Sequence, residues 1–438
     1  MTPLSPSPAR TVPPGPPDSH EIGTTDTTID LLQRWFSEYG DTYRVFSTDR
    51  DAWTWVIHHP VDVKRVFVVN HRNYTKGVGI DRVRLLLGNG IMTSEGEFWR
   101  RQRRMVQPAF HRAVIEQFVT VIRRQNAVMF ERWSAAAASG EPLNLSRSLS
   151  ELTLGVVLEA IFGDDLGRLV QDLDDNPFMI VARETRRDPQ FAYRFRQLGT
   201  VVRRIIRHRR AAGRRGFDLM QMLMESRDPD TGQGMSEEEL VDEILTLVVA
   251  GHETTASALS WTWWLISQHP EVETRIHDEQ PSTAGLGVER YADIDRRPYL
   301  HAVLQEAMRL YPPGWLLTRR TIGPDRLGGY AVPPGTDVFV SPYLIHRHPD
   351  FWQDPERFDP GRFLPPRAAG HDKFAYIPFA AGPRHCVGQN LAIFEMLLHL
   401  EGATRGYRLR AIEPGPVAVE ARINLRPARD LYMRVEQR

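Results

Sequence analysis

Cysteine is all but missing from this chain of 438 residues: Cys386 is the only one. That excludes an internal disulfide framework and any zinc site built from several thiolates, and it fits a reducing cytoplasm. Lysine is nearly as scarce, with Lys64, Lys76 and Lys373 alone, so the positive charge is arginine. Basic and acidic residues balance at 55 each, which gives no support to nucleic-acid binding or to a polybasic membrane anchor. No internal repeat is apparent. The first residues, through Pro17, are rich in Pro, Ser and Thr and lack an apolar run. They are not expected to act as a signal peptide or a membrane anchor, and residues 1–20 are expected to form a disordered tail.

What is present is ample material for a core, 41% hydrophobic residues. From Thr42 to Ile57 the residues Tyr43, Val45, Phe46, Trp53, Trp55, Val56 and Ile57 predict two strands of a small sheet. Pro60 to Val69 reads as a short helix, and Thr75 to Met92 as a glycine-containing loop with apolar teeth. Ser94-Glu95-Gly96-Glu97 has the form of a capping box, and the helix it opens carries Trp99 and Arg103 four apart, hence on one face. Helical periodicity continues over 111–137, 147–162, 168–185 and 190–214. Ser236-Glu237-Glu238-Glu239 predicts a second capping box and the longest helix, ended by Pro270. Ile244 to Ile266 is apolar around most of its circumference, which raises a membrane span. Glu253 in its middle opposes that, because an acid at a bilayer centre costs about 3 kcal/mol. A helix buried across a large domain is the better expectation. Tyr299 to Leu310 is another helix, followed by strand-like segments at Val332–Gly335 and Asp337–Val340. Phe351 to Ala375 is irregular, and Val417 to Met433 predicts closing strands.

The stretch around the one cysteine organises the rest. Phe379-Ala380-Ala381-Gly382-Pro383-Arg384-His385-Cys386-Val387-Gly388 places cationic residues just before the sulfur and glycines on both sides. A thiolate needs nearby positive charge or hydrogen-bond donors to persist at neutral pH. A helix-like run from Gln389 to Leu400 follows at once, so its first N–H groups are expected to point at the sulfur and favour the anion. A lone cysteine is otherwise most often a small buried hydrophobe. The pattern Phe-x-x-Gly-x-Arg-x-Cys-x-Gly, however, resembles the haem-binding loop of the cytochrome P-450 monooxygenases. That resemblance implies that Cys386 is the thiolate ligand of haem iron. It also implies that Arg384 meets a haem propionate, that Phe379 packs beside the sulfur and that Gly388 lets the flat ring approach.

Three further motifs resemble the same family, in its usual order. Trp99-x-x-x-Arg103 resembles the propionate-binding helix; the other arginines of that turn are expected to face an acidic electron-donor protein. Ala250-Gly251-His252-Glu253-Thr254-Thr255 resembles the oxygen-activation motif, with Gly251 leaving space above the metal, Thr254 able to bond the carbonyl four residues back, and Glu253 relaying protons. Glu306-Ala307-Met308-Arg309 with Arg357 resembles the family's buried ion network, a structural rather than catalytic device, and Arg319 matches another propionate contact. The implied fold is mainly α with a small β portion, one domain over 21–438, with haem b between the long helix and the cysteine loop. No Cys-x-x-Cys-His occurs, so c-type attachment is not expected.

The resemblance implies a haem-thiolate monooxygenase that inserts one atom of O2 into an apolar small molecule, with electrons from a separate ferredoxin or flavodoxin and its NAD(P)H reductase. Leu86, Met92, Val248, Ala250, Gly251, Trp315 and Leu316 are the expected pocket lining. They carry no charged anchor, and Leu247–Leu259 with Tyr311–Arg320 resembles bacterial members acting on carotenoids or terpenoids; fatty acids and polyketides stay open. A peroxide-driven enzyme or rearrangement on the same fold, or a haem-binding sensor, would not need the Glu253-Thr254 pair.

Overall fold

The computed structural model describes residues 12–171, 176–183, 189–213, 215–279, 288 and 290–438. Helices carry most of that length. In order they are α1 (Asp26–Tyr39), α2 (Pro60–Lys64), α3 (Ile80–Leu87), α4 (Gly96–Val106), α5 (Arg112–Ile115), α6 (Val119–Ser139), α7 (Leu145–Phe162) and α8 (Asp164–Gln171). There follow α9 (Met179–Arg183), α10 (Pro189–Ala211), α11 (Leu219–Glu225), α12 (Glu237–Gln268), α13 (Pro270–Asp278), α14 (Pro298–Leu310), α15 (Pro342–Ile345) and α16 (Gln389–Gly406).

The long central helix is α12, 32 residues and about 48 Å at the standard rise. Its start is fixed by the expected capping box: the Ser236 hydroxyl accepts the Glu239 N–H at 3.1 Å, and the Glu239 carboxylate accepts the Ser236 N–H at 2.8 Å. It stops before Pro270, which opens α13 at a position where no N–H is needed. Residues 244–248 and 255–266 of α12 are buried, so the helix runs through the main core rather than over it. Among the described residues no helix is long and apolar enough to cross a membrane. A Cβ added at Gly251 would stand 2.9 Å from Val157 Cγ2. A side chain at 251 would therefore meet α7, and the glycine lets the two helices close on each other.

The main sheet has the order β1-β2-β8-β5-β3, from β1 (Thr42–Ser47), β2 (Ala52–Ile57), β3 (Tyr74–Lys76), β5 (Leu317–Thr321) and β8 (Asp337–Val340). Only β2 and β8 run parallel. The register of β3 on β5 sets Lys76 directly opposite Arg319. Smaller ladders join β4 (Leu143–Asn144), β12 (Tyr432–Gln437) and β9 (Tyr407–Ala411), then β6 (Asp325–Leu327) with β7 (Tyr330–Val332), and β10 (Val419–Ala421) with β11 (Leu425–Pro427).

Several local expectations give way to tertiary contacts. Residues 1–11 of the expected tail lie outside the described residues, but from Pro13 the chain is packed rather than free. Pro13 and Pro16 are buried, the Arg44 N–H donates to Pro14 O, and the His20 N–H donates to Phe46 O, each at 2.9 Å. Helix α3 forms inside the expected loop over 75–92. Ser94 does not cap α4: the cap residue is Glu95, and the buried Ser94 hydroxyl has no partner. Residues 111–137 start as the short α5 and a 3-10 turn before α6. The run over 168–185 is divided between α8 and α9, and its residues 172–175 and 184–185 lie outside the described residues, as does residue 214 of the next run.

Candidate functional site

The loop before α16 is folded tightly on itself. The Cys386 N–H donates to Phe379 O at 2.9 Å, and the His385 N–H to Gly382 O at 3.0 Å. Gly382 has φ +72°, and a Cβ there would collide with Phe67 O at 1.8 Å, so only glycine fits. Ala380, at φ +59°, is a non-glycine residue held in the left-handed region, a strain that the surrounding contacts must overcome. Phe379 is half-buried against the main core. The Cys386 side chain is accessible, yet protein surrounds the recess it lines so fully that desolvation pushes its thiol pKa up. The N–H groups of Gly388 and Gln389 and the Arg103 guanidinium act the other way. The donors that sequence predicted are therefore present at the start of α16, but burial outweighs them for the free thiol.

Cationic side chains gather beside this recess. Arg103 of α4 donates to His385 O at 2.8 Å and to Gln107 Oε1 at 3.2 Å. Arg384 pairs with Glu95, donates to Ser94 O at 3.1 Å, and lays its guanidinium 4.0 Å from the centre of the Trp99 ring. Arg319 is buried and stacked 4.6 Å over Phe67, and among the described residues its guanidinium donates only to its neighbour Thr318 O, at 2.8 Å. Burial, then Arg384, lowers its pKa to about 10. Lys76, opposite it across the sheet, is pressed further: burial, then Arg319 and Arg384, brings it down to about 7. Like charges set opposite in a ladder are destabilising, and Glu95 alone offsets Lys76, Arg319 and Arg384. The cluster is short of negative charge. Lys76 went unnoticed in the sequence because strand pairing, not spacing, brings it here. Its rarity among arginines was the one signal it gave.

In mid-α12 burial lapses. Val249, Ala250, Gly251, Glu253 and Thr254 are partly exposed between fully covered stretches, whereas Val248 is completely buried. Val248 therefore turns into the core and Val249 takes the open phase, one step of 100° around the helix. The Thr254 hydroxyl donates to Ala250 O at 2.8 Å, the back-bond expected of it. Glu253 Oε2 accepts from Asn424 Nδ2 at 3.0 Å, a partner 171 residues away that no local pattern announces. His252 is buried and bonded through Nε2 to Ser150 Oγ at 2.8 Å, as a packing residue would be.

Other pocket expectations divide. Leu86 and Met92 are partly exposed and pack on the main core. Leu316 is partly exposed between two satellite clusters. Trp315 is not lining anything: it is wholly buried with Ile29, Ala421 and Leu425, and its indole donates to Arg422 O at 2.8 Å.

The ion network exists with a different third member. Glu306 and Arg309, both fully buried, share two hydrogen bonds of 2.7 and 2.8 Å. The cation that completes it is Arg362, whose Nε reaches Glu306 Oε1 at 3.2 Å. Arg357 is exposed and gives only its backbone carbonyl, to Arg309 at 3.2 Å. Arg-Phe at 357–358 recurs five residues on at 362–363, and the 3-10 turn Pro360–Phe363 rotates the second inward. Arg309 also donates to His346 O and Pro355 O, at 2.8 and 2.7 Å. His346 Nε2 in turn accepts the Ile377 N–H at 2.8 Å. Because burial and then Arg309 lower its pKa to about 3, the ring is neutral and links the network to the cysteine loop. The arginines expected to face an acidic partner are already occupied: Arg100 pairs with Glu97, Arg101 with Glu239 at 2.7 Å, and Arg104 with Asp228 and Asp230 at 2.8 and 2.9 Å.

Among the described residues no three His, Cys, Asp or Glu side chains converge as a metal site. A lone sulfur donor suits a metal that brings its other ligands, and a cation cluster short of negative charge suits a ligand with carboxylates. Haem is both, so the residues fit it.

Comparison with known proteins agrees. The family model for Cytochrome P-450 matches residues 19–184 and 191–417. Cyclooctatin synthase of Streptomyces melanosporofaciens is 36% identical over 380 residues, covering 82% of this chain and 80% of that one. From the same organism, Cyclooctat-9-en-7-ol 5-monooxygenase is 34% identical, with the same coverage. Pentalenene oxygenase of Streptomyces avermitilis is 30% identical, covering 86% of each chain. The crystal structure of the cytochrome P-450DA heme domain superposes with a TM-score of 0.84 at 22% identity, over 98% of this chain and 97% of that one, and shares its fold.

Proposed function

Because this chain belongs to the cytochrome P-450 family of haem monooxygenases, we propose that it holds haem b through Cys386 and oxygenates a cyclic, apolar terpenoid in the cytoplasm. Electrons come from a separate ferredoxin or flavodoxin with its NAD(P)H reductase. Haem, when bound, supplies the redox chemistry that splits O2 and delivers one atom to the substrate.

Everything else falls to the chain. Cys386 offers the sulfur, and a metal deprotonates a coordinating thiol outright, which overcomes the burial that raises the free group. Lys76, Arg103, Arg319 and Arg384, with Trp99 under the last of these, would hold the carboxylates. The observation that carries the proposal is the juxtaposition of that under-neutralised cluster with the one cysteine of the chain: Arg384 stands two residues before Cys386, and Arg103 bonds the intervening carbonyl. Glu253 would take protons from solvent and Thr254 hold them at its hydroxyl, while the aliphatic residues Leu86, Met92, Val249, Ala250 and Leu316 exclude water and orient an apolar ring. The names of the Streptomyces relatives, which denote cyclic alkenes and alkenols, support the terpenoid class.

The test is spectroscopic. Reduced protein with CO is expected to give the far-red-shifted Soret band of a thiolate-ligated haem, and Cys386→Ser to lose it together with monooxygenase activity. A variant that keeps the band would refute the ligand assignment. Cyclic terpenes should shift the haem spin state where fatty acids and polyketides do not.

A further inference from the structure

Glu253, Ser257 and Trp261 follow one another at intervals of four and so stack on one face of α12. That face meets the tip of the β10–β11 hairpin. The Ser257 hydroxyl and the Trp261 indole N–H, the latter at 3.3 Å, both donate to Leu425 O. One residue earlier, Asn424 Nδ2 donates to Glu253 Oε2 at 3.0 Å. The hairpin is braced from other sides as well. The Leu425 N–H donates to Pro313 O at 3.0 Å, the Trp315 indole to Arg422 O at 2.8 Å, and the Ala421 N–H to Asp26 Oδ1 at 2.9 Å. Ala421 and Leu425 are wholly buried, but Ile423, between Arg422 and Asn424, is 57% exposed. The tip is therefore a rigid platform with solvent on one side and the α12 acid on the other.

From this we infer that Asn424 is a positioning residue for proton delivery, holding the Glu253 carboxyl at the solvent end of the path toward Thr254. It rests on the role proposed above for Glu253. The chemistry of the amide suits the task better than a cation would. An arginine or lysine here would favour the carboxylate strongly and hold it deprotonated. A neutral amide carries two donors and an acceptor. It donates to the carboxylate, and after a turn about its last torsion it accepts from the carboxylic acid. Glu253 can then gain a proton from water beside Ile423 and release it toward Thr254 without losing its orientation. Each proton passed on is replaced from solvent, so the carboxyl returns to its starting state.

The experiment uses the holoenzyme with a reductase system and any substrate that shifts the spin state. Asn424→Leu should lower product formed per NAD(P)H by roughly tenfold, the lower end of the factor carried by one hydrogen bond to a charged group. It should raise the solvent isotope effect in D2O and leave the CO band and substrate-induced spin shift unchanged. Asn424→Asp, which keeps the hairpin's shape and removes the donor, should do the same and serves if the leucine variant folds poorly. In a Glu253→Gln background, Asn424→Leu should add nothing, because two residues acting through one group are not additive. An infrared carboxyl band lost in Glu253→Gln should move in Asn424→Leu. Equal losses in both backgrounds, or unchanged coupling in Asn424→Leu and Asn424→Asp while Glu253→Gln is impaired, would overturn the positioning role alone. An unimpaired Glu253→Gln would overturn it together with the proton-carrier role of Glu253.

Discussion

At the scale of single residues, the instructive one is Lys76. Across the sheet it faces Arg319, and burial with two guanidinium neighbours brings its pKa to about 7. Such a side chain opposes folding of the haem-free chain and favours anion capture, so Lys76→Met should move the two properties in opposite directions. The haem-free variant is expected to melt at higher temperature than wild type at pH 6. Its haem should pass to an acceptor globin about tenfold faster, the worth of one charge-assisted hydrogen bond. Parallel changes in both would mean that Lys76 merely packs. The contrast with Cys386 explains what sequence conveys at this scale. Cys386, Arg384 and Gly388 lie within five residues, where spacing alone fixes the geometry. Lys76 meets Arg319, and Asn424 meets Glu253, only through strand register and helix packing. Arg362 was hidden differently, behind an identical Arg-Phe pair whose turn points outward.

At the scale of elements, the N-terminal half of α12 does more than support the core. Its acids Asp242 and Glu243 grip the loop after α3: Asp242 accepts the Asn89 N–H at 2.7 Å and Glu243 the Ile91 N–H at 3.0 Å. Glu243 is fully buried, one of its oxygens has no partner, and desolvation above all, with Asp242 and Glu239 nearby, pushes its pKa up to about 8. The unfolded chain gives up this proton near the ordinary carboxylate value, whereas the folded one keeps it to about pH 8. The contribution to stability is therefore whole at low pH and drains away as pH rises through that window. Each tenfold difference in proton affinity is worth about 1.4 kcal/mol. Glu243→Gln, which keeps the acceptor and cannot ionise, should gain in melting temperature over wild type progressively from pH 5 to pH 8. A constant difference across that range would show that the folded protein holds Glu243 ionised. None of this could be read from the sequence, where Asp242-Glu243 looks like the continuation of an acidic, solvated helix start. The capping box before it was legible because its reciprocal bonds span three residues. Gly251 was legible as a glycine that matters, but not as the seat of Val157, since the neighbour across a helix is set by the fold.

At the scale of the molecule, the order of four motifs was enough to anticipate the arrangement, a long buried helix and a cysteine loop tied down by an ion network. The sequence was least informative over residues 13–20, where proline-rich composition suggested a free tail and the segment instead lies along β1. That strand is the outermost of its sheet. An unpaired strand edge is a template for joining another chain, and the segment from Pro13 to His20 occupies part of it through Pro14 and His20. The segment from Pro13 to His20 thus works as a selvedge, the bound margin that keeps a woven cloth from fraying into its neighbour. A chain beginning at residue 21 should keep the thiolate-CO band, because the cysteine loop is untouched. It should also self-associate with rising concentration in light scattering, where the full chain does not. Identical scattering from the two would mean that the twist and charges of β1 guard the edge unaided.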